Sequence, residues 1–259
     1  MQLKRRITMT SRLRIAFAFF ICLRLPNGVG QESPAPAATS DEVVQRLVEH
    51  NRDRADQLRS YTSRREYRLV YHGFPHSLEA TMDVEADCSG STKSFRVLSQ
   101  SGSQILVNHV LKKLLTSEQE AAAEQNRNAL TPSNYSFSLV GSRNEDGRML
   151  YVLDVHPRTR NKFLYRGRIW VDAEDYAVVR VEAEPAENPS FWIRNTEIHH
   201  RYSKLGQFWL PRENTTVTKV RFGGTATLTI DYQDYRLDAE WDGSQKASSA
   251  ESSMASQIH

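Results

Sequence analysis

The run Tyr151–Tyr235 limits the fold most, because it reads as strand after strand with almost no interval long enough for a helix. Within it, 163–182 reads as two long antiparallel strands about an acidic turn, Asp172-Ala-Glu-Asp175. Phe163, Tyr165, Ile169 and Val171 share a face of the first strand. On the second, Ala177, Val179, Val181 and Ala183 oppose Arg180, Glu182 and Glu184. Strand side chains alternate between faces, so the pattern describes a sheet with one buried and one wet surface. So many one-faced strands must bury that face on each other or on helices.

The rest of the chain alternates in the same way. Ala80, Met82, Val84 and Ala86 point one way, and Glu79, Thr81, Asp83, Glu85 and Asp87 the other. Tyr67, Leu69 and Tyr71 precede them across a turn at Gly73-Phe-Pro-His76, and Phe95 and Val97 begin a third strand. Tyr135, Phe137 and Leu139 pair with Tyr151, Leu153 and Val155 about a hairpin turn at Asn144-Glu-Asp-Gly147. Strands at 191–202 and 207–222 follow, with Pro211 marking a bulge or an edge. Gly223-Gly224 then turns into Ala226, Leu228, Ile230 and Tyr232.

Two segments have helical spacing. Thr39-Ser-Asp-Glu42 has the form of a capping box, and Val44, Leu47, Val48, Ala55 and Leu58 fall on one side after it. From about Ser103 to Arg127, Leu106, Val110, Leu114 and Leu115 form an apolar stripe. The stretch Glu118–Arg127 is polar and expected in solvent, with Ser117 and Glu120 capping a separate turn. The expected class is α+β, mainly β. Its centre is a strongly curved antiparallel sheet, a half-open, incomplete β-barrel of about ten or eleven strands enclosing two helical segments.

The first thirty residues read as an export signal. Lys4, Arg5, Arg6, Arg12 and Arg14 precede a short apolar core, Ile15–Leu23, that Arg24 ends. That core is shorter than the about 20 residues a membrane-spanning helix needs, and it fits a secretory signal. Gly28-Val-Gly30 places cleavage before Gln31, with anchoring by an uncleaved signal as the alternative. The expected organisation is a signal over 1–30, a Pro/Ala linker over 31–39, one β domain over 40–238 and a Ser/Ala-rich disordered tail over 239–259. Six basic residues and no acid lie in 1–30, which leaves 28 basic against 31 acidic residues, about −3. That balance gives no electrostatic drive toward nucleic acid. Cys22 lies in the signal core after Ile21, where a lipid-attachment site needs a small residue, and Cys88 alone can form no internal disulfide.

Catalytic signatures are sparse. Glu197 and His199 share a strand face, and a third group from another strand would complete a metal or acid–base site; a wet polar strand explains them as well. His72 and His76 flank a turn, with a metal chelate and a solvated turn as the two readings. No nucleophile elbow, zinc-protease helix, phosphate loop or dinucleotide fingerprint occurs. The expectation is a protein without enzymatic activity and without a cofactor. Arg64-Arg65, Arg158 with Arg160 and Lys162, and Arg166 with Arg168 form basic clusters, either facing lipid headgroups or paired with nearby acids.

The order of export signal, amphipathic helix, three strands, helical insertion and long meander extends over Ser40–Leu237. The later half carries Tyr151-Val-Leu-Asp-Val-His-Pro157, Ile169-Trp-Val-Asp172, Val179-Arg-Val-Glu182 and Gly206-Gln-Phe-Trp-Leu-Pro211. This succession resembles the LolA-like and LolB-like periplasmic carriers that sort outer-membrane lipoproteins, together with the related RseB-type envelope-stress sensors. The resemblance implies a periplasmic protein that holds lipid or lipoprotein acyl chains in an apolar cavity between sheet and helices. It also implies transient membrane contact and a membrane-anchored envelope protein as a partner. Leu106, Val110 and Leu114 are the expected roof of that cavity, and Phe163, Tyr165, Ile169, Val179, Phe191 and Trp192 its walls. Ordinary core packing is the other reading of the same aromatics, and a sensor or interaction module without lipid transfer is the other reading of the fold.

Overall fold

In the computed structural model, residues 38–73, 76–187, 193–221 and 223–239 are described. The expected signal, most of the expected linker, the expected tail beyond 239 and the aromatic pair Phe191 and Trp192 lie outside them. Helix α1 spans Ser40–Gln57. Strands β1 (Leu58–His72), β2 (Leu78–Ser89) and β3 (Thr92–Gly102) follow, and then a helical segment. That segment comprises α2 (Gln104–Leu106), a π-helical turn (Val107–Leu111), α3 (Lys112–Ala123) and α4 (Gln125–Asn128). The remaining strands are β4 (Tyr135–Glu145), β5 (Arg148–Pro157), β6 (Tyr165–Asp172), β7 (Val178–Pro185), β8 (Ile193–Leu205), β9 (Phe208–Val220) and β10 (Thr225–Ala239).

The ten strands form one antiparallel sheet in the order β3-β2-β1-β10-β9-β8-β7-β6-β5-β4. Two meanders, β1–β3 and β4–β10, are joined where the first strand pairs with the last, from Leu58↔Ala239 to His72↔Thr225. The sheet is unclosed, with β3 and β4 at its edges. The helical segment that links β3 to β4 in sequence therefore connects the two rims.

Bulges supply local bending, since one extra residue on a strand increases its twist. Leu98, Val140, Val179 and Arg212 are extra residues on β3, β4, β7 and β9. Pro211, which has no N–H, sits at the β9 bulge, just beyond the Glu213 end of the ladder to β10. Gly167 in β6 has φ 148°, and a Cβ there would lie 2.3 Å from the Glu182 carbonyl oxygen. The strand can bend onto β7 only without a side chain at that position. The Asp146-Gly147 turn has positive φ at both residues, as a tight β4–β5 hairpin requires.

The inner face of the sheet can be followed across the strands in register. Met82, Tyr67, Ile230, Asn214, His200, Val181, Ile169, Leu153 and Leu139 form one cross-strand row. Helix α1 buries Val43, Val44 and Leu47 against one apolar lobe containing Tyr135, Leu153, Val155, Leu164, Ile169, Val171 and Val181. The helical segment after β3 buries Leu106, Val107, Leu111 and Leu115 against the other, with Tyr67, Leu69, Met82, Val84 and Ile230. Between the lobes the inner row passes through Asn214 and His200, a polar waist on β9 and β8. A small outer cluster, Leu150, Val152 and Trp170 with Val179, lies on the opposite face.

The capping box at Thr39 forms as expected: the Thr39 amide donates to Glu42 Oε2 at 2.8 Å, and the Glu42 amide to Thr39 Oγ1 at 3.3 Å. The second half of α1 departs from the expected stripe. Ala55 is exposed, and Arg54 anchors this half by donating to the Asp175 and Tyr176 carbonyls at 2.7 and 3.0 Å. The expected cap at Ser117 is absent, because α3 runs unbroken through it to Ala123.

Candidate functional site

The concave face under the helical segment holds a buried polar cluster that the sequence did not reveal. Arg65 sits on the inward side of β1 at 2% exposure. Its Nη1 donates to Glu118 Oε2 on α3 at 2.9 Å, its Nε to Ser63 Oγ at 3.2 Å and its Nη2 to Cys88 Sγ at 3.6 Å. The guanidinium also lies 5.0 Å from the Tyr232 ring centroid and 5.4 Å from that of Phe95, within cation–π range. Tyr67 donates its hydroxyl to Glu118 Oε1 at 3.0 Å, and Lys93 donates to Oε2 at 3.3 Å. Burial disfavours the Arg65 charge, but the Glu118 carboxylate and the neighbouring phenols outweigh it and hold the pKa above the ordinary value. Burial raises the Tyr67 and Tyr232 hydroxyls above the usual phenol range, so both stay neutral.

Glu118 thus ties the helical segment to the sheet, although its sequence context reads as a solvated helix end. Arg65, read as part of a surface basic cluster, points inward because strand alternation puts it on the face of Tyr67 and Leu69. Other bonds hold α3 and α4 to the β2–β3 turn and to the loop between β5 and β6. Gln119 donates to the Lys93 carbonyl and Gln125 to that of Gly90, both beside the β2–β3 turn. On the opposite side Lys162 pairs with Glu120 at 2.6 Å.

The roof is rotated from its expected phase. The π-helical turn holds one more residue per turn than an α-helix, so the inward stripe moves to Val107, Leu111 and Leu115. Leu106 is buried and Leu114 partly buried in that lobe, whereas Val110 is 41% exposed. Among the expected walls, Ile169 is fully buried and Tyr165 packs beside it. Phe163 is half-buried just before β6, with Lys162 Nζ 4.6 Å from its ring centroid, and Leu164 takes the core position instead. Val179 lies on the outer face, because the β7 bulge reverses the alternation there and leaves Val178 facing inward. Cys88 is buried near the end of β2.

The sequence motifs of the later half meet at the β6–β7 turn. Asp172, 1% exposed, accepts the Glu174 and Asp175 amides through Oδ1 and Arg148 Nε through Oδ2. Asp175 accepts Trp209 Nε1 at 2.8 Å as well as Lys204 and Arg148. Burial works against both carboxylates, yet these donors hold each below the usual Asp range. Arg180 stacks 3.8 Å above Trp170 on the outer face. These residues fix the α1 end of the sheet, which is a structural task.

His200 faces inward at the waist. Burial is the main influence that lowers its pKa to about 4, against the opposing pull of Glu118. Its neighbour His199 faces outward beside Glu182, with Glu197 on the same face. Among the described residues no group of three or more His, Cys, Asp or Glu side chains is placed to hold a metal ion. No helix among them is long and apolar enough to cross a membrane.

The molecule is thus an open antiparallel half-barrel with helices on its concave face. Residues 126–235 match a family of unknown function, DUF5686. No curated protein matches the chain. Among solved structures, it is similar to a DUF1329 family protein from Desulfovibrio piger, at 14% identity over 80% of this chain and 96% of that one, with a TM-score of 0.42. A LolA superfamily protein from Nitrosomonas europaea is 13% identical over 80% and 96%, with a TM-score of 0.36. An outer membrane lipoprotein-sorting protein domain from Vibrio parahaemolyticus, described as putative, is 11% identical over 76% and 93%, with a TM-score of 0.36. The architecture itself rests on the chain's own ladders and packing.

Proposed function

We propose that this is an exported, non-enzymatic binding protein of the periplasm that holds lipid or lipoprotein acyl chains between its concave sheet and its helical roof. The observation that carries this reading is the roof itself. It crosses from one rim of an open sheet to the other, rests on aliphatic contacts at Leu106, Val107, Leu111 and Leu115, and is pinned by the Arg65–Glu118 pair. Each apolar contact of this kind is exchangeable for contact with a hydrocarbon chain, because burial is non-directional and scales with area, at about 25 cal/mol per Å². Uptake then replaces the roof's own contacts rather than filling a void, so loading and release are nearly balanced and respond to a partner of modestly higher affinity. Leu114 packs beside that path, and Tyr165 and Ile169 lie in the neighbouring lobe under α1.

Native mass spectrometry of the mature protein, purified from the periplasm without detergent, tests this reading. A discrete added mass that extracts into organic solvent as lipid is the expected result. A clean apo mass, with no uptake of added lipid or acylated peptide, overturns it.

A second reading, a protein-interaction module, is favoured by the edge strands. Val97 and Leu98 on β3 and Val140 on β4 are exposed aliphatic residues beside unpaired backbone. Sheet edges of this kind accept an added strand, although bulges at Leu98 and Val140 blunt both edges. A protein partner that remains bound after delipidation distinguishes this reading from the carrier.

A further inference from the structure

At the end of the sheet where β5 leaves and β7 finishes, a groove of ≈ 500 Å³ is lined by His156, Pro157, Arg158, Arg160, Arg166 and Glu187, with Thr159 and Ala186. Two of its arginines are held by neutral groups. Arg158 Nε donates to the Pro132 and Tyr135 carbonyls at 2.8 and 3.1 Å, and Arg166 Nη2 to the Ala186 carbonyl at 3.4 Å. Bonds to carbonyls orient a guanidinium without cancelling its charge. Arg160 is exposed and has no hydrogen-bond or ion-pair partner among the described residues. Three cations therefore share a groove whose acid is Glu187, with Glu184 opposite Arg166 in the β6–β7 ladder. By contrast, Arg168 one step along β6 is paired with Asp154 at 2.9 Å.

The groove also adjoins the apolar interior. Ala186 lines it and packs on the lobe under α1, and the carbonyl that holds Arg158 belongs to Tyr135, whose ring is buried in that lobe. Planar guanidinium forks converging on one space suit an oxyanion with several acceptor oxygens. A phosphate matches better than a carboxylate, because it offers an oxygen to each arginine.

We propose that this groove binds the phosphate of a glycerolipid headgroup, which makes the ligand an anionic phospholipid rather than a neutral lipid. The assignment of the chains rests on the acyl-binding reading above; the assignment of the headgroup rests on the groove.

The test uses the mature protein and its Arg160→Ala/Arg166→Ala variant, both positions being exposed, with thermal unfolding to confirm that the variant folds. Three probes are titrated: dihexanoyl phosphatidylglycerol below its micelle concentration, dihexanoylglycerol, and sn-glycerol 3-phosphate. The phospholipid is expected to bind about tenfold or more tightly than the neutral diacylglycerol, as charge-assisted bonds imply, and the variant to lose that preference. Glycerol 3-phosphate is expected to shift the Arg158 Nε–H resonance, a signal the variant retains, in NMR spectra, an effect that added salt weakens. Equal binding of both lipids, or an undiminished preference in the variant, overturns the headgroup site and leaves the acyl reading standing. Resonance shifts with glycerol 3-phosphate, lost in the variant but without binding of either lipid, support the phosphate site and sink the acyl reading.

Discussion

Removing the Glu118 carboxylate leaves Arg65 charged at a position that water barely reaches. An unpaired buried charge costs about 3–5 kcal/mol, so Glu118→Gln is expected to lower unfolding stability by that order, read from denaturant midpoints. The double change Arg65→Met/Glu118→Gln should recover much of the loss, since it leaves no buried charge without a partner. A second residue-scale effect follows from His200. Its pKa of about 4 lies below the ordinary 6.5, so the unfolded chain binds the extra proton between those values. Stability from this group is present in full above pH 6.5 and is lost as pH falls toward 4, by on the order of 3 kcal/mol. Wild type and His200→Gln unfolded across that range should differ in slope, with the variant flatter; parallel curves would contradict a neutral, half-buried imidazole. Neither residue announces itself in the sequence. Glu118 stands in a polar run and Arg65 in a basic pair, and only the packing of α3 over β1 makes them partners.

At the scale of elements, the π-helical turn decides which side of the roof is apolar. Leu111→Ala is expected to cost about 2–5 kcal/mol as a buried large-to-small change, while Val110→Ala should stay within about 0.5 kcal/mol. Equal losses at the two positions would restore the stripe that plain α-helical spacing predicts. The β7 bulge makes a parallel case on a strand. Val181→Ala opens the inner lobe, whereas Val179→Thr touches only the outer cluster and should be nearly silent in thermal unfolding. Most elements were legible from residues alone: the capping box at Thr39, the alternation in β2, the Asn144–Gly147 hairpin and the bulge at Pro211. Phase errors arose where one extra residue entered a helix turn or a ladder. Such insertions depend on what the neighbouring element demands, and local periodicity does not encode that.

For the whole molecule, a roof that lifts for ligand must open more readily than the sheet. Native-state hydrogen exchange is expected to show amides of α2 and α3 opening sub-globally, at lower free energy than those of β1 and β10, which pair with each other along their full length. Exchange of roof and sheet at one common free energy would rule out a separately moving roof. The sequence by itself determined the class of the fold, because ten stretches of alternating side chains leave an antiparallel sheet with one buried face as the stable outcome. It also determined where that sheet must be interrupted, through glycine, proline and acidic turns whose backbone preferences are local. Tertiary structure alone decided the rest. Pairing of the first strand with the last placed the helical segment across the open rims, and that placement brought Arg65 to Glu118. Contacts between residues far apart in sequence follow from chain closure and packing, which no local pattern records.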